Sequence, residues 1–293
     1  MPTPRALLSL PVAAGVAFAL ALAACGGGGT TAQVNPTTLP AQTVTLFAAA
    51  SMSKVMPQLI TEFENRYHGV SVEADYEGTQ ALLTKLEADP ASADVFLSAD
   101  RKHMATASQH GLVDPAQNLA GNRLVVALPP GNPAHITALT DLARAGVHLD
   151  LADTSVPAGA YAEQALHSIE AHGDAPTGYA AHVLANVASR ESDVEQVVTK
   201  VASGVVDAGV VYATDAQANP HLGTLPIPAA DQPATVYPVA LTRHGATSAG
   251  ARAFLDFLLG TTGQHILRSA GFIAPPPPSP PASAAAESSS STP

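Results

Sequence analysis

Five short stretches of this chain place hydroxyls, small residues or a phenol where a strand should give way to a helix, and that is a chemistry of anion binding. The first is "TLFAAASMSKVM", Thr45 to Met56, in which an apolar strand ends in three alanines and meets Ser51. The amides that open a helix have no intrahelical acceptor and lie at the positive end of its dipole, so Ser51 is either a plain N-cap or one donor of an anion site. Tyr76-Glu77-Gly78-Thr79 repeats the pattern, with Thr79 offering a hydroxyl and an amide. In "ADTSVPAGAYAEQAL", the small residues Val156-Pro157-Ala158-Gly159 allow a ligand atom to approach the main chain closely. "SDVEQVV" opens a helix at Asp193 and Val194, and "DAGVVYATDA" closes a strand at Tyr212. A phenol at a strand's carboxyl end is a donor where α/β crevices bind ligands, although tyrosine there also serves as half-buried packing.

Other chemistries find less support. The chain has no G-x-S-x-G elbow, no H-E-x-x-H and no P-loop. An exported hydrolase built on Ser51 would need a histidine from a distant segment. Glu73, Asp75 and Glu77 alternate along a strand and read as a solvated face rather than as acid/base pairs. The 11 histidines are scattered; His103 and His110, or His167 and His172, lack the spacing of a ligand pair, which argues against a metal-binding lipoprotein.

Composition bounds the rest. With 293 residues, 46% hydrophobic, the chain is long enough for one large domain or two ordinary ones. A formal charge of -11 leaves no basic face for nucleic acid and no attraction to an anionic membrane surface. Any anion must be held locally, against the sign of the whole.

The elements that must position these residues follow from periodicity. Residues 1–24 read as an export signal, with Arg5 ahead of an apolar stretch from Ala6 to Leu22. Leu22-Ala23-Ala24-Cys25 resembles a bacterial lipobox; Cys25 is the only cysteine, so it has no disulfide partner within the chain and is the expected lipidation site. Residues 25–40 read as a flexible tether, reaching about 20 Å from the lipid. The tail over 275–293 is too rich in Pro, Ser and Ala to bury a core and is expected to be disordered.

Between these ends, short β-rich runs alternate with helical periodicity, the pattern of an α/β protein with mostly parallel sheets. Thr43 to Phe47 is the first expected strand, followed by a helix marked by Val55, Met56, Leu59, Ile60 and Phe63. Pro57 makes the start of that helix irregular, and Gly69 is its expected end. Val70 to Tyr76 and Val95 to Leu97 follow as strands, with a helix through Leu82, Leu83 and Leu86 between them. The apolar runs "RLVVALP" (Arg123 to Pro129) and "TVYPVAL" (Thr235 to Leu241) bracket a second set of β and α segments. Such an insertion predicts two lobes joined by two hinge crossings near Val126 and Tyr237, the first lobe taking 41–125 and 237–274, the second 126–236.

Taken in order, "FAAAS", "ADVFLSAD" (Ala93 to Asp100), "NRLVVALP", "VPAGAYAEQAL", Asp193-Val194 and "GVVY" ending at Tyr212 resemble the periplasmic molybdate-binding proteins of bacterial ABC importers. The likeness spans residues 43 to 273. It implies the type II periplasmic binding fold, two α/β lobes closing on a tetrahedral oxyanion, with no catalysis and no cofactor. It also implies ligand residues: backbone at Ala50, the hydroxyls of Ser51 and Thr79, Ala158, Val194, and the phenol of Tyr212. Molybdate or tungstate is the implied ligand, sulfate or another small oxyanion the alternative. The implied partners are an ABC permease and, through Cys25, the outer face of the cell membrane, with the protein itself a monomer. Two positions depart from the family pattern. Gly78-Thr79 stands where many relatives have a serine-rich turn, and Glu195 follows Val194, where a carboxylate is tolerable only if it points away from the ligand.

Overall fold

The computed structural model describes residues 37–275. The export signal, Cys25, the tether as far as residue 36 and the tail beyond Pro275 lie outside the described residues.

The chain runs β1 (Thr37–Ala49), α1 (Met56–Arg66), β2 (Tyr67–Glu77), α2 (Thr79–Ala88), β3 (Val95–Leu97), α3 (Arg101–Gln109), β4 (Gln117–Gly121) and β5 (Leu124–Leu128). It continues through β6 (Leu149–Ala152), α4 (Pro157–His172), α5 (Tyr179–Ala185), β7 (Val187–Glu191), α6 (Val194–Ala202), β8 (Ala208–Tyr212), α7 (Ala213–Gln217) and β9 (Gly223–Pro226). After β10 (Val236–Leu241), α8 (Ala249–Leu259) and α9 (Thr261–Ser269) close the fold. Two five-stranded sheets result, in the orders β2-β1-β3-β10-β4 and β7-β6-β8-β5-β9. In each, four strands run the same way and one runs against them, β10 in the first sheet and β5 in the second. Local pattern predicted mostly parallel sheets; the one antiparallel strand of each is the strand by which the chain enters that sheet from the other, a direction that periodicity does not register.

The crossings are equivalent. The chain leaves the edge strand β4 of the first sheet and enters β5, fourth in the second; it leaves edge strand β9 and returns as β10, fourth in the first. The first passage is at Asn122 and Arg123, so the expected division at 125/126 cuts through β5. Val125 pairs with Val211 and Pro226 of the second sheet. The return is complete at Val236, close to the expected division, and Tyr237 is a strand residue.

Three further expectations need correcting. The first strand begins at Thr37, and Thr37 and Thr38 pair with Tyr67 and His68, so the end of the expected tether is sheet. The helix after it ends at Arg66 rather than at Gly69, which sits inside β2 with φ +95 where the β1–β2 register shifts. A Cβ there would lie 2.3 Å from the Leu39 carbonyl oxygen, so the bulge requires glycine. Pro57 is accommodated because a 3-10 turn, Ala50–Met52, takes the chain out of β1 and α1 starts only at Met56. Proline then falls in the first turn, where an amide has no intrahelical acceptor to lose.

Each sheet is anchored by apolar helix faces. Phe63 of α1 stacks on Tyr67 at 4.8 Å and meets Phe254 and Phe257 of α8 at 5.0 and 5.6 Å between ring centroids. Val194, Val197, Val198 and Val201 form the buried stripe of α6. A fully buried side chain of this kind contributes about 1.5–3 kcal/mol, enough to hold the helix starts in register with the strands before them.

One group works against the fold. The side chain of Asp150 in β6 is wholly buried, and neither carboxyl oxygen has a hydrogen-bond partner. Lys200 Nζ lies 3.7 Å away but is shared with Glu191. Burial first, then repulsion from Glu191, push the Asp150 carboxyl up to about 7 from 3.8. The folded chain therefore keeps a proton that the unfolded chain releases, and stability falls as pH rises from about 4 to 7. Asp150→Asn should raise Tm at pH 8 by about 3–6 °C and by little at pH 5; a gain of equal size at both pH values in thermal unfolding would refute the assignment.

Candidate functional site

Four chain segments that follow parallel strands begin around one cavity: the 3-10 turn after β1, α2 after β2, α4 after β6 and α6 after β7. The strand arrangement makes this geometrically natural, because each sheet contributes the turns at the carboxyl ends of two neighbouring strands. Tyr212, at the end of β8, completes the lining. Ala50, Ser51, Thr79, Ala158, Val194 and Tyr212 all line this cavity, and all six are buried. Its empty volume is about 200 Å³.

The starts of these segments are short of acceptors. Residues at the N-cap position usually supply one, and leaving it out costs about 1 kcal/mol. Here Ala49, Gly78 and Val156 occupy that position and make no side-chain cap. In α4 the first helical residue is Pro157, so Ala158 and Gly159 present the first amides. Only α6 is capped: Asp193 Oδ1 accepts the Gln196 amide at 3.1 Å, which leaves the Val194 amide open. Ser51 and Thr79 are not caps, in contrast to the simpler expectation. Ser51 is the middle residue of its turn and Thr79 is the first residue of α2, so both hydroxyls have other uses.

Those uses leave hydrogens for a guest. Ser51 Oγ lies 2.9 Å from the phenol of Tyr237. Asn122 Nδ2 donates to Tyr237 Oη at 3.4 Å and to Thr214 Oγ1 at 2.9 Å. Either oxygen of this pair can donate, and where Tyr237 donates the serine hydrogen remains free for a guest. Thr79 Oγ1 accepts the Ala99 amide at 3.1 Å, which likewise leaves its hydrogen. The Tyr212 hydroxyl is buried without a partner. Burial, reinforced by Tyr237, holds the Tyr212 phenol well above its ordinary range, so it is a neutral donor.

Negative charge near the cavity is neutralised or directed elsewhere. Glu77 binds Lys85 at 2.8 Å. Asp215 is buried, its Oδ2 accepting the Tyr212 amide at 3.1 Å; burial and then repulsion from Glu195 hold its carboxyl well above the usual range, so it is neutral. Glu195, the doubtful neighbour of Val194, is turned to Lys54 at 2.9 Å. No lysine, arginine or histidine is among the lining residues. Among the described residues no group of three or more His, Cys, Asp or Glu is arranged to hold a metal ion.

Sequence reasoning missed Tyr237, Asn122 and Asp215, which orient the donors from behind. The signal for Tyr237 was a polar phenol in the apolar strand "TVYPVAL": a tyrosine buried there requires a hydrogen-bond partner.

Comparison with known proteins shows the family of the chain. The family profile of the bacterial extracellular solute-binding proteins matches residues 44–273. The molybdate-binding protein ModA of Mycobacterium tuberculosis is 33% identical over 256 residues, 87% of this chain and 93% of the relative. The solved periplasmic molybdate-binding protein of Azotobacter vinelandii has a TM-score of 0.67 at 21% identity, covering 80% of this chain and 100% of that one. The sulfate-binding protein SubI of M. tuberculosis has a TM-score of 0.68 at 19% identity, covering 79% and 86%. At these identities the two structures speak for the fold alone.

The two halves touch beside the cavity at Gly78. A Cβ there would come within 2.4 Å of the Ser192 carbonyl oxygen, across from one half to the other. Gly78→Ala should leave Tm within about 2 °C while forcing the halves apart. Small-angle scattering should then give a larger radius of gyration than for the unsubstituted protein, and an unchanged radius would contradict the contact.

Proposed function

Because the chain belongs to the bacterial extracellular solute-binding proteins, we propose that it captures molybdate (and tungstate) between its two halves and delivers it to an ABC import permease. The observation that carries this reading is the cavity itself: uncapped segment starts from both halves and three hydroxyls face one small space without a cation. Such a set of neutral donors suits a small oxyanion that accepts hydrogen bonds on every oxygen.

The magnitudes suffice. A hydrogen bond to a charged partner contributes about 1.5–3 kcal/mol, so roughly seven donors give a gross ~10–20 kcal/mol. A micromolar to nanomolar Kd needs ~8–12 kcal/mol after desolvation and association costs. Phosphate near neutral pH retains a proton that seeks an acceptor, and the nearby carboxylates of Glu77 and Asp193 are already engaged. Against sulfate, with the same donors available, cavity size decides. The protein works by binding, with no catalytic step and no cofactor. The lobes close about the crossings at Asn122–Arg123 and before Val236. Acylation of Cys25 ties the monomer to the outer face of the membrane and raises its effective concentration near the permease.

Isothermal titration with molybdate, tungstate, sulfate and phosphate in parallel tests the ligand. The first two should bind with Kd of about 1 μM or tighter, and sulfate binding as tightly would overturn the assignment. Ser51→Ala and Tyr212→Phe should each weaken molybdate binding by about 10- to 100-fold, as expected for one lost bond to a charged guest. Cys25→Ser should move the protein from the membrane fraction to the soluble one; persistence in the membrane pellet would rule out the anchor.

A further inference from the structure

Lys54 and Glu195 come from opposite halves. Lys54 lies in the turn between the 3-10 turn and α1, three residues after Ser51, and Glu195 is the second residue of α6, next to Val194. Their side chains meet at 2.9 Å. The pair sits at the mouth of the cleft, in an open cavity of about 630 Å³ that adjoins the anion site through Ala50 and Asp193, which line both. Lys54 is the only cation among the residues lining that mouth. Its side chain is 49% exposed, that of Glu195 20%. Glu195 Oε1 is buried without a hydrogen-bond partner, so the ammonium of Lys54 is the main compensation for this carboxylate. A second polar contact crosses the same rim, Gln80 Nε2 donating to the Ser192 carbonyl at 2.8 Å.

We propose that Lys54 exchanges partners during capture: it draws the oxyanion into the open cleft, then passes to Glu195 and latches the halves shut. This rests on the oxyanion-capture reading above. A doubly negative guest approaching a chain of net charge -11 meets an opposing field. With the halves apart, Lys54 is separated from Glu195 and supplies local positive charge beside Ser51, which raises the encounter rate. On closure Glu195 takes the ammonium, the guest is left to neutral donors, and the ion pair adds to the barrier against reopening. The device accounts for a carboxylate next to an anion site, since Glu195 holds the cation at the rim instead of repelling the guest.

The test is stopped-flow tyrosine fluorescence on the full chain, which has no tryptophan and two tyrosines at the site, with molybdate and sulfate as probes at 20 and 500 mM NaCl. Lys54→Met should slow association about five- to tenfold at low salt, with the difference lost at high salt. Glu195→Gln should leave low-salt association undiminished and speed dissociation about fivefold. The double variant should dissociate no faster than either single one, and the exchanged pair Lys54→Glu with Glu195→Lys should recover slow dissociation. Unaltered rates in Lys54→Met, or additive effects on dissociation, would overturn the latch while wild-type molybdate binding keeps the function standing. If the wild type binds sulfate alone, the molybdate assignment falls and the latch is judged on sulfate; if it binds neither, both fall. Thermal unfolding of each variant identifies any that fail to fold, and the exchanged pair then carries the decision.

Discussion

Hydrogen-bond donors without acceptors govern this structure. The starts of α2 and α4 and of the turn after β1 face a shared cavity without the capping side chains that most helices recruit, and α6 adds an open amide of its own. The forgone caps weaken the empty protein slightly and leave a set of dipoles that only a guest can satisfy. Alanine, glycine and valine at those N-cap positions thus have a role beyond packing. They keep the backbone within reach.

The same constraint orders the charges around the cavity. An acidic chain that binds an anion through neutral groups must keep its carboxylates from opposing the guest, and the nearby acids are dealt with in three ways: by ion pairing, capping and protonation. Glu77 is paired with Lys85, Asp193 is spent on capping α6, Asp215 is neutral through burial, and Glu195 is bound to Lys54. Tyr212 and Tyr237 are held neutral by burial, so they remain donors. Local arrangement overrides net charge here because charges beyond about 10 Å are largely screened in salt, whereas groups a few ångströms from a buried guest are not.

The repeated build of the two halves makes such a site possible. A β-α-β-α-β sequence occurs in each, and each sheet places its first two parallel strands side by side, so two segment starts converge from either half. The crossings tie edge strand β4 to β5 and edge strand β9 to β10, which joins the halves twice through short connections. Asn122, at one of them, also reaches Tyr237 and Thr214, so the connection is wired to the donors behind the cavity.

Much of this was legible in the residues. Alternation and 3.6-residue periodicity reveal which segments are strands and which are helices, because they record which side of each element is buried, and the α/β class with an inserted second half follows from that order. The six candidate ligand residues could be named because their motifs resemble those of the periplasmic molybdate-binding proteins, a resemblance to which small residues and hydroxyls at strand-to-helix junctions give a local chemical meaning. Other features depended on contacts far apart in the chain. Val125 belongs to the second sheet because of its neighbours β8 and β9, and Gly69 lies within a strand because β1 bulges beside it. Tyr237 reaches Ser51 across 186 residues, and Lys54 reaches Glu195 across the cleft. Local sequence determines burial pattern and backbone preference, which are properties of neighbouring residues. Sheet pairing, hydroxyl direction and the neutralisation of buried acids are decided only when distant segments exclude water from one another, and no short stretch of sequence carries that information.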